Sequence, residues 1–197
     1  MWVAIFSLLA SAALLPAADP AEALFKQAAQ SLARGDLAAA ERGFASVLKQ
    51  HPKHVGAMAN LGTVYSRMGR LRDAARIYAQ ALQFAPTEPG LLLNLGLLHL
   101  RRQDYASAKP LIAAADQSRI SSAQTRELLA ACQIHTGEAA QGLAALNALP
   151  VSANVHYLRG LAYLKLKQPA QAQAEFQELL TRRSEEHTSE LQSRQYL

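Results

Sequence analysis

The stretch NLGTVY at residues 60–65 returns as NLGLLH at 94–99, 34 positions later, and a whole window returns with it. With Gly62 and Gly96 in register, Ala74 falls on Ala108, Tyr78 on Ile112 and Ala81 on Ala115, while Pro52 and Pro86 share one column. The same frame runs backwards to Ala28, Gly35, Ala40, Phe44 and Val47. Forwards it reaches Ala130, Gly137, Gly142, Leu146 and Leu149, and a shorter step of 30 then finds Gly160, Tyr163, Ala172, Phe176 and Leu179. A period of this length marks an array of small units, none of which hides its apolar face alone; stacking the next unit does.

Each unit reads as two helices. In the second unit the first helix is expected at about 55–67 and the second at about 72–83. Gly69 supplies the left-handed residue that closes a helix, and Pro86 stops the unit. Small residues at Gly62 and Ala74 mark a close approach of two helix axes. Tyr65, Tyr78 and Leu82 are the large partners. An excess of Ala, Leu and Gln over Val, Ile and Thr favours helix over strand.

This pattern resembles the tetratricopeptide repeat. The second unit carries the resemblance most fully, in Leu61, Gly62, Tyr65, Gly69, Ala74, Tyr78, Ala81 and Pro86; Met58 and Leu92 stand where that motif usually has Trp. The resemblance covers about 21–181, as units at 21–54, 55–88, 89–122, 123–152 and 153–181. It implies an all-α fold, a right-handed superhelical solenoid of antiparallel helix pairs, over a repeat domain at 19–182. Pro110 departs from the pattern and is expected to kink its helix. Pro169 sits near a helix start, where proline is tolerated.

The resemblance further implies that first helices line a concave side that receives a peptide or a helix. The facing positions include Asn60, Thr63, Ser66 and Arg67, then Leu93, Asn94, Leu97, Leu100 and Arg101. Asn60 and Asn94 can each bond an extended backbone as donor and acceptor, or can bond only within their own helix pair. Arg67 and Arg101 suit acidic side chains or a solvated helix face. Leu93, Leu97 and Leu100 add an apolar strip. The terminal-carboxylate clamp of some members needs Lys and Asn where this chain has Phe25 and Ala29. The remaining columns, Tyr65, Ala108, Gly160, Ala172 and Phe176 among them, read as structural.

The formal charge of +5 is scattered, and its densest run is Arg67, Arg70, Arg72 and Arg76. No aromatic interleaving accompanies it, so nucleic acid is not an expected partner; a protein or peptide with acidic side chains is. The single cysteine, Cys132, excludes a disulfide framework and reads as a buried filler. His51, His54, His99, His135 and His156 lack metal-ligand spacing. Asp36, Asp73 and Asp104 recur near second-helix starts, where a negative charge suits the helix dipole. No phosphate loop or serine elbow appears. The chain is therefore expected to be no enzyme and to carry no metal or cofactor.

Both ends read differently from the repeats. Residues 2–15 are a continuous apolar run followed by small residues, expected as a signal peptide over 1–18 and a periplasmic or secreted product, with an amino-terminal membrane anchor as the alternative. Residues 183–193, RSEEHTSELQS, resemble, codon by codon, the translation of a common short-read sequencing adapter. Residues 183–197 are accordingly expected to be adapter-derived, with the natural chain continuing differently past Arg182. A truncated last unit would expose an apolar flank prone to self-association. The expected function is a non-catalytic protein- or peptide-binding scaffold or assembly factor of the cell envelope. The alternatives are a recognition module of a longer protein and a structural link in an envelope complex.

Overall fold

Five left-handed turn residues punctuate the chain at the repeat spacing: Gly35 (φ 83°), Gly69 (φ 77°), Gln103 (φ 57°), Gly137 (φ 94°) and Lys167 (φ 58°). Each closes one helix and aims the next. The amide that follows it reaches back to the last turn of the closing helix: Asp36 N to Ser31 O, Arg70 N to Tyr65 O, Asp104 N to His99 O, Glu138 N to Gln133 O and Gln168 N to Tyr163 O. These bonds satisfy carbonyls that a helix end leaves open.

The structure is a computed structural model that describes residues 19–118 and 121–195. The described residues form α1 (Pro20–Ala33), α2 (Leu37–Gln50), α3 (Val55–Arg67), α4 (Leu71–Phe84), α5 (Pro89–Arg101), α6 (Tyr105–Asp116), α7 (Ala123–His135), α8 (Ala139–Asn147), α9 (Ala153–Lys165) and α10 (Pro169–Gln195). They pair in sequence as five antiparallel hairpins, an all-α solenoid. The expected bounds at 55–67 and 72–83 fall within one residue of α3 and α4. α6 runs on through Pro110, whose exposed ring points away from the core, so the helix does not end there. α10 continues past the boundary expected at Arg182. No Gly or Pro between 183 and 195 supplies a stop. The expected signal segment, 1–18, lies outside the described residues. No helix among the described residues is long and apolar enough to cross a membrane.

First helices meet one another across units: α3 touches α1 and α5, and α7 touches α9. No second helix touches another second helix among the described residues. The first helices therefore occupy the inner side of the curve. The stack is not uniform, however. α5 and α7 do not meet, and the helix contacts between units three and four are all between α6 and α7.

The buried core divides at the same place. One cluster runs from Ala28 through Phe44, Met58 and Tyr78 to Leu98; another joins Ala130, Ile134, Leu146, Val155 and Ala162. Between them lies a small cluster of Ala108, Ile112 and Cys132. Cys132 packs as the expected filler. Burial pushes its thiol up to about 11, so native protein should not react with a disulfide reagent near neutral pH. Unfolding in denaturant should release one reactive thiol, and fast reaction of the folded chain would contradict this packing.

The three recurrent aspartates lie at second-helix starts, as expected, in two different positions. Asp36 and Asp104 accept the amides of Ala39 and Ser107 at 3.0 and 3.2 Å. Asp73 is not the third member of that series. Arg70 occupies the cap column, and Asp73, three residues on, accepts from Arg70 Nε at 2.8 Å. Asp73 lies in the first turn of α4, where its charge suits the helix dipole as expected.

Candidate functional site

Gly62 determines how the inner face is built. A Cβ placed there would lie 2.4 Å from Cε1 of Tyr78. Without one, the Tyr78 ring crosses from α4 over α3 and brings its hydroxyl to 3.1 Å from Thr63 Oγ1. Thr63 Oγ1 also lies 3.1 Å from the carbonyl of Ala59, to which it donates; the tyrosine hydroxyl is then the donor to Thr63. Burial pushes the Tyr78 phenol above its ordinary range, so it holds its proton at neutral pH.

Beside this pair is a cavity of about 210 Å³ between α3 and α5, lined by Thr63, Ser66, Arg67, Tyr78, Asn94, Leu97, Leu98 and Arg101. Five of the seven expected peptide-binding residues meet there: Thr63, Arg67, Asn94, Leu97 and Arg101. Asn60 and Leu93 lie outside its lining, half-buried on α3 and α5. Tyr78 and Leu98 were not expected at the site. The signal for Tyr78 was present in the pairing of the Gly62 column with the Tyr78 column, which reads as packing until the hydroxyl is followed to its end.

The asparagines and arginines differ in commitment. Neither Asn60 nor Asn94 makes a side-chain hydrogen bond among the described residues. Arg67 Nη1 donates to the carbonyl of Leu32 at 3.0 Å, and Arg101 Nη1 donates to Ser66 Oγ at 3.3 Å. Each arginine thus ties its own unit to the preceding one, through the same two columns. Both remain exposed with donors to spare, since a guanidinium carries five N–H groups. The site offers an unpaired amide, two cations, a hydroxyl pair and an apolar wall of Leu97 and Leu98.

The place of the carboxylate clamp is filled by aromatic packing. Phe25 stacks on His54 with centroids 5.0 Å apart and meets Phe44 edge-on at 5.7 Å. The other imidazoles are engaged too. His54 Nδ1 accepts the Ala57 amide at 3.0 Å and caps α3. His99 Nδ1 lies 2.9 Å from Asp104 Oδ2, and the Ser107 hydroxyl, then His99, hold that carboxyl below its ordinary range. His156 pairs with Glu175 at 2.7 Å, in the columns filled by Met58 and Ile77 three units earlier. No group of three or more His, Cys, Asp or Glu side chains among the described residues is arranged to hold a metal ion.

Comparison with known proteins agrees with this architecture. The tetratricopeptide-repeat family matches residues 31–92 and 153–186. No curated protein matches the chain. Among solved structures, the MamA protein superposes with a TM-score of 0.73 at 19% identity, covering 85% of this chain and 94% of its own. MamA from Desulfovibrio magneticus RS-1, residue 41 to its end, gives 0.75 at 18% identity, over 84% of this chain and 97% of that one. YrrB, described as a TPR protein with an unusual peptide-binding site, gives 0.75 at 17% identity, over 80% and 84%. At these identities the likeness is one of fold.

Proposed function

We propose that this tetratricopeptide-repeat chain is a non-catalytic scaffold that holds an extended peptide of a partner protein along its inner face, between α3 and α5. One observation carries the reading: Asn94, unpaired and half-exposed, borders a cavity whose other polar groups are Ser66, Arg67, Arg101 and the Thr63–Tyr78 hydroxyl pair. A primary amide both donates to and accepts from a backbone, and a second one, Asn60, stands 34 residues before it on the adjoining helix. The two arginines favour a peptide with acidic side chains, and Leu97 gives it an apolar contact. The peptide site named in the description of YrrB supports peptide capture as a use of this fold.

The double change Asn60→Ala with Asn94→Ala is expected to weaken partner binding by roughly thirtyfold, at about 1 kcal/mol for each of two net hydrogen bonds, and to leave helical content unchanged. Titration of a captured partner by calorimetry measures this; equal affinity would remove the asparagines from the site.

The same proposal places the protein in the cell envelope, on the strength of the apolar run at 2–15. Cleavage is then expected to leave a mature start between residues 13 and 19. Intact mass of the chain from an envelope fraction decides this, and retention of Met1 would contradict it. We read residues 183–197 as adapter-derived, with a different natural sequence past Arg182. Sequencing the gene across that codon tests it, and an uninterrupted match to the present tail would contradict it. On α9 and α10, Leu164 and Leu180 are 50% and 61% exposed. Self-association through this face belongs to the same proposal and is read by sedimentation velocity.

A further inference from the structure

An ion pair at the outer turn edge distinguishes the unit junctions from one another. At the first junction Arg70 Nη1 bonds Glu41 Oε1 at 2.7 Å, 29 residues away. At the third junction Lys109 bonds Glu138 at the same separation of 29 and in the same two columns, with the charges exchanged. At the second junction those columns hold Ala75 and Asp104, and at the fourth they hold Leu143 and Gln168. Neither of these combinations pairs. A groove of about 450 Å³ lies along the turn edge at the second junction, and one of about 390 Å³ at the fourth. The grooves occur where the ion pair is missing.

The groove at the second junction has an apolar floor of Leu71, Ala75 and Leu98. Its charged lining residues are Arg70, Arg72, Asp73 and Arg102. Arg70 is occupied: it bonds Glu41 and Asp73, and its guanidinium sits 4.2 Å over the Tyr65 ring. Asp73 is occupied by Arg70 and Arg76. Arg72 and Arg102 are exposed, and neither side chain has a partner among the described residues. Two uncommitted guanidinium groups thus rim a floor of leucine and alanine; of its lining, only Leu98 also lines the cavity between α3 and α5.

We infer that this groove is a second docking surface, for an acidic, leucine-bearing segment of a partner protein. The carboxylates of such a segment meet Arg72 and Arg102, and its leucine lies on Leu71 and Leu98. Charge complementarity with an apolar floor selects this occupant over a bare polyanion, which gains nothing from the floor.

The probe is a fluorescein-labelled peptide of sequence ELLDEL, titrated into the full chain and followed by anisotropy. Saturable binding is expected. The double change Arg72→Gln with Arg102→Gln is expected to weaken it at least tenfold. Ala75→Lys places a lysine opposite Asp104 in the columns of the Lys109–Glu138 pair, which closes the groove. It should weaken the probe at least tenfold although it adds positive charge. The proposal is overturned if no saturable binding occurs, if the double variant binds as the parent does, or if Ala75→Lys binds the probe equally or more tightly. That last result would be bulk electrostatic attraction. Circular dichroism confirms that each variant is folded before titration. The inner-face reading fails separately, because Ala75→Lys alters only the turn edge.

Discussion

Gly62→Leu is expected to destabilise the chain by about 3 kcal/mol or more, the upper range for overpacking a close contact. Even the first added carbon would fall 2.4 Å from the Tyr78 ring, with two further ring atoms at 2.7 Å. The ring cannot retreat easily. Tyr78 is 2% exposed, is covered by neighbouring helices and is tied to Thr63 through its hydroxyl. On an exposed helix the same substitution would stabilise, since leucine is the better helix former. The sign therefore reports the close crossing of α3 and α4. Gly69→Ala is the comparison. Nothing lies within 4 Å of a Cβ there, so the change meets only the left-handed backbone at φ 77°, at about 1 kcal/mol. Urea unfolding of both variants measures the difference, and near-equal effects would contradict the crossing.

Ile112→Ala should cost about 2–5 kcal/mol and should also change the form of unfolding. Ile112 is wholly buried, and its cluster contains only two other fully buried side chains, Ala108 and Cys132. That cluster is the apolar link between the core of the first three units and the core of the last two. In a linear array, stability is approximately a sum of unit terms and nearest-neighbour terms. A loss at the link weakens a junction at which α5 and α7 do not meet, leaving the Lys109–Glu138 ion pair and the stacked Tyr105 and His135 rings to hold the two halves. The parent is expected to unfold in one transition and the variant in two, resolved by denaturant titration. A single transition shifted in midpoint would mean that the two halves are coupled by contacts other than this cluster.

The columns of the sequence located most of the fold because turns depend on few residues. Gly35, Gly69 and Gly137 adopt the left-handed conformation for which glycine is suited, and helix ends follow from them. Gln103 and Lys167 take the same conformation without the residue that signals it. The register was needed to find them. Of the seven inner-face positions read from the sequence, five line one cavity; their partnerships were not legible. Arg67 and Arg101 read as free cations in sequence. In the fold they reach back one unit, a contact set by the spacing of stacked helices. The alternating ion pairs were hidden for a related reason: Glu41–Arg70 and Lys109–Glu138 exchange charges, so neither column shows a constant residue type. The break in the core at α5 and α7 has no trace in the spacing, which stays at 34 across it.

The central claim is that the inner face between α3 and α5 captures peptide. Backbone and side-chain amide shifts of the isotopically labelled chain, titrated with a peptide selected on it from a random library, test this most directly. The expected result is a saturable set of perturbations centred on Thr63, Asn94, Leu97 and Arg101, with the Asn94 side-chain amide among the largest. Perturbations confined to the outward faces of α2, α4 and α6, with those four residues unmoved at saturation, would contradict it.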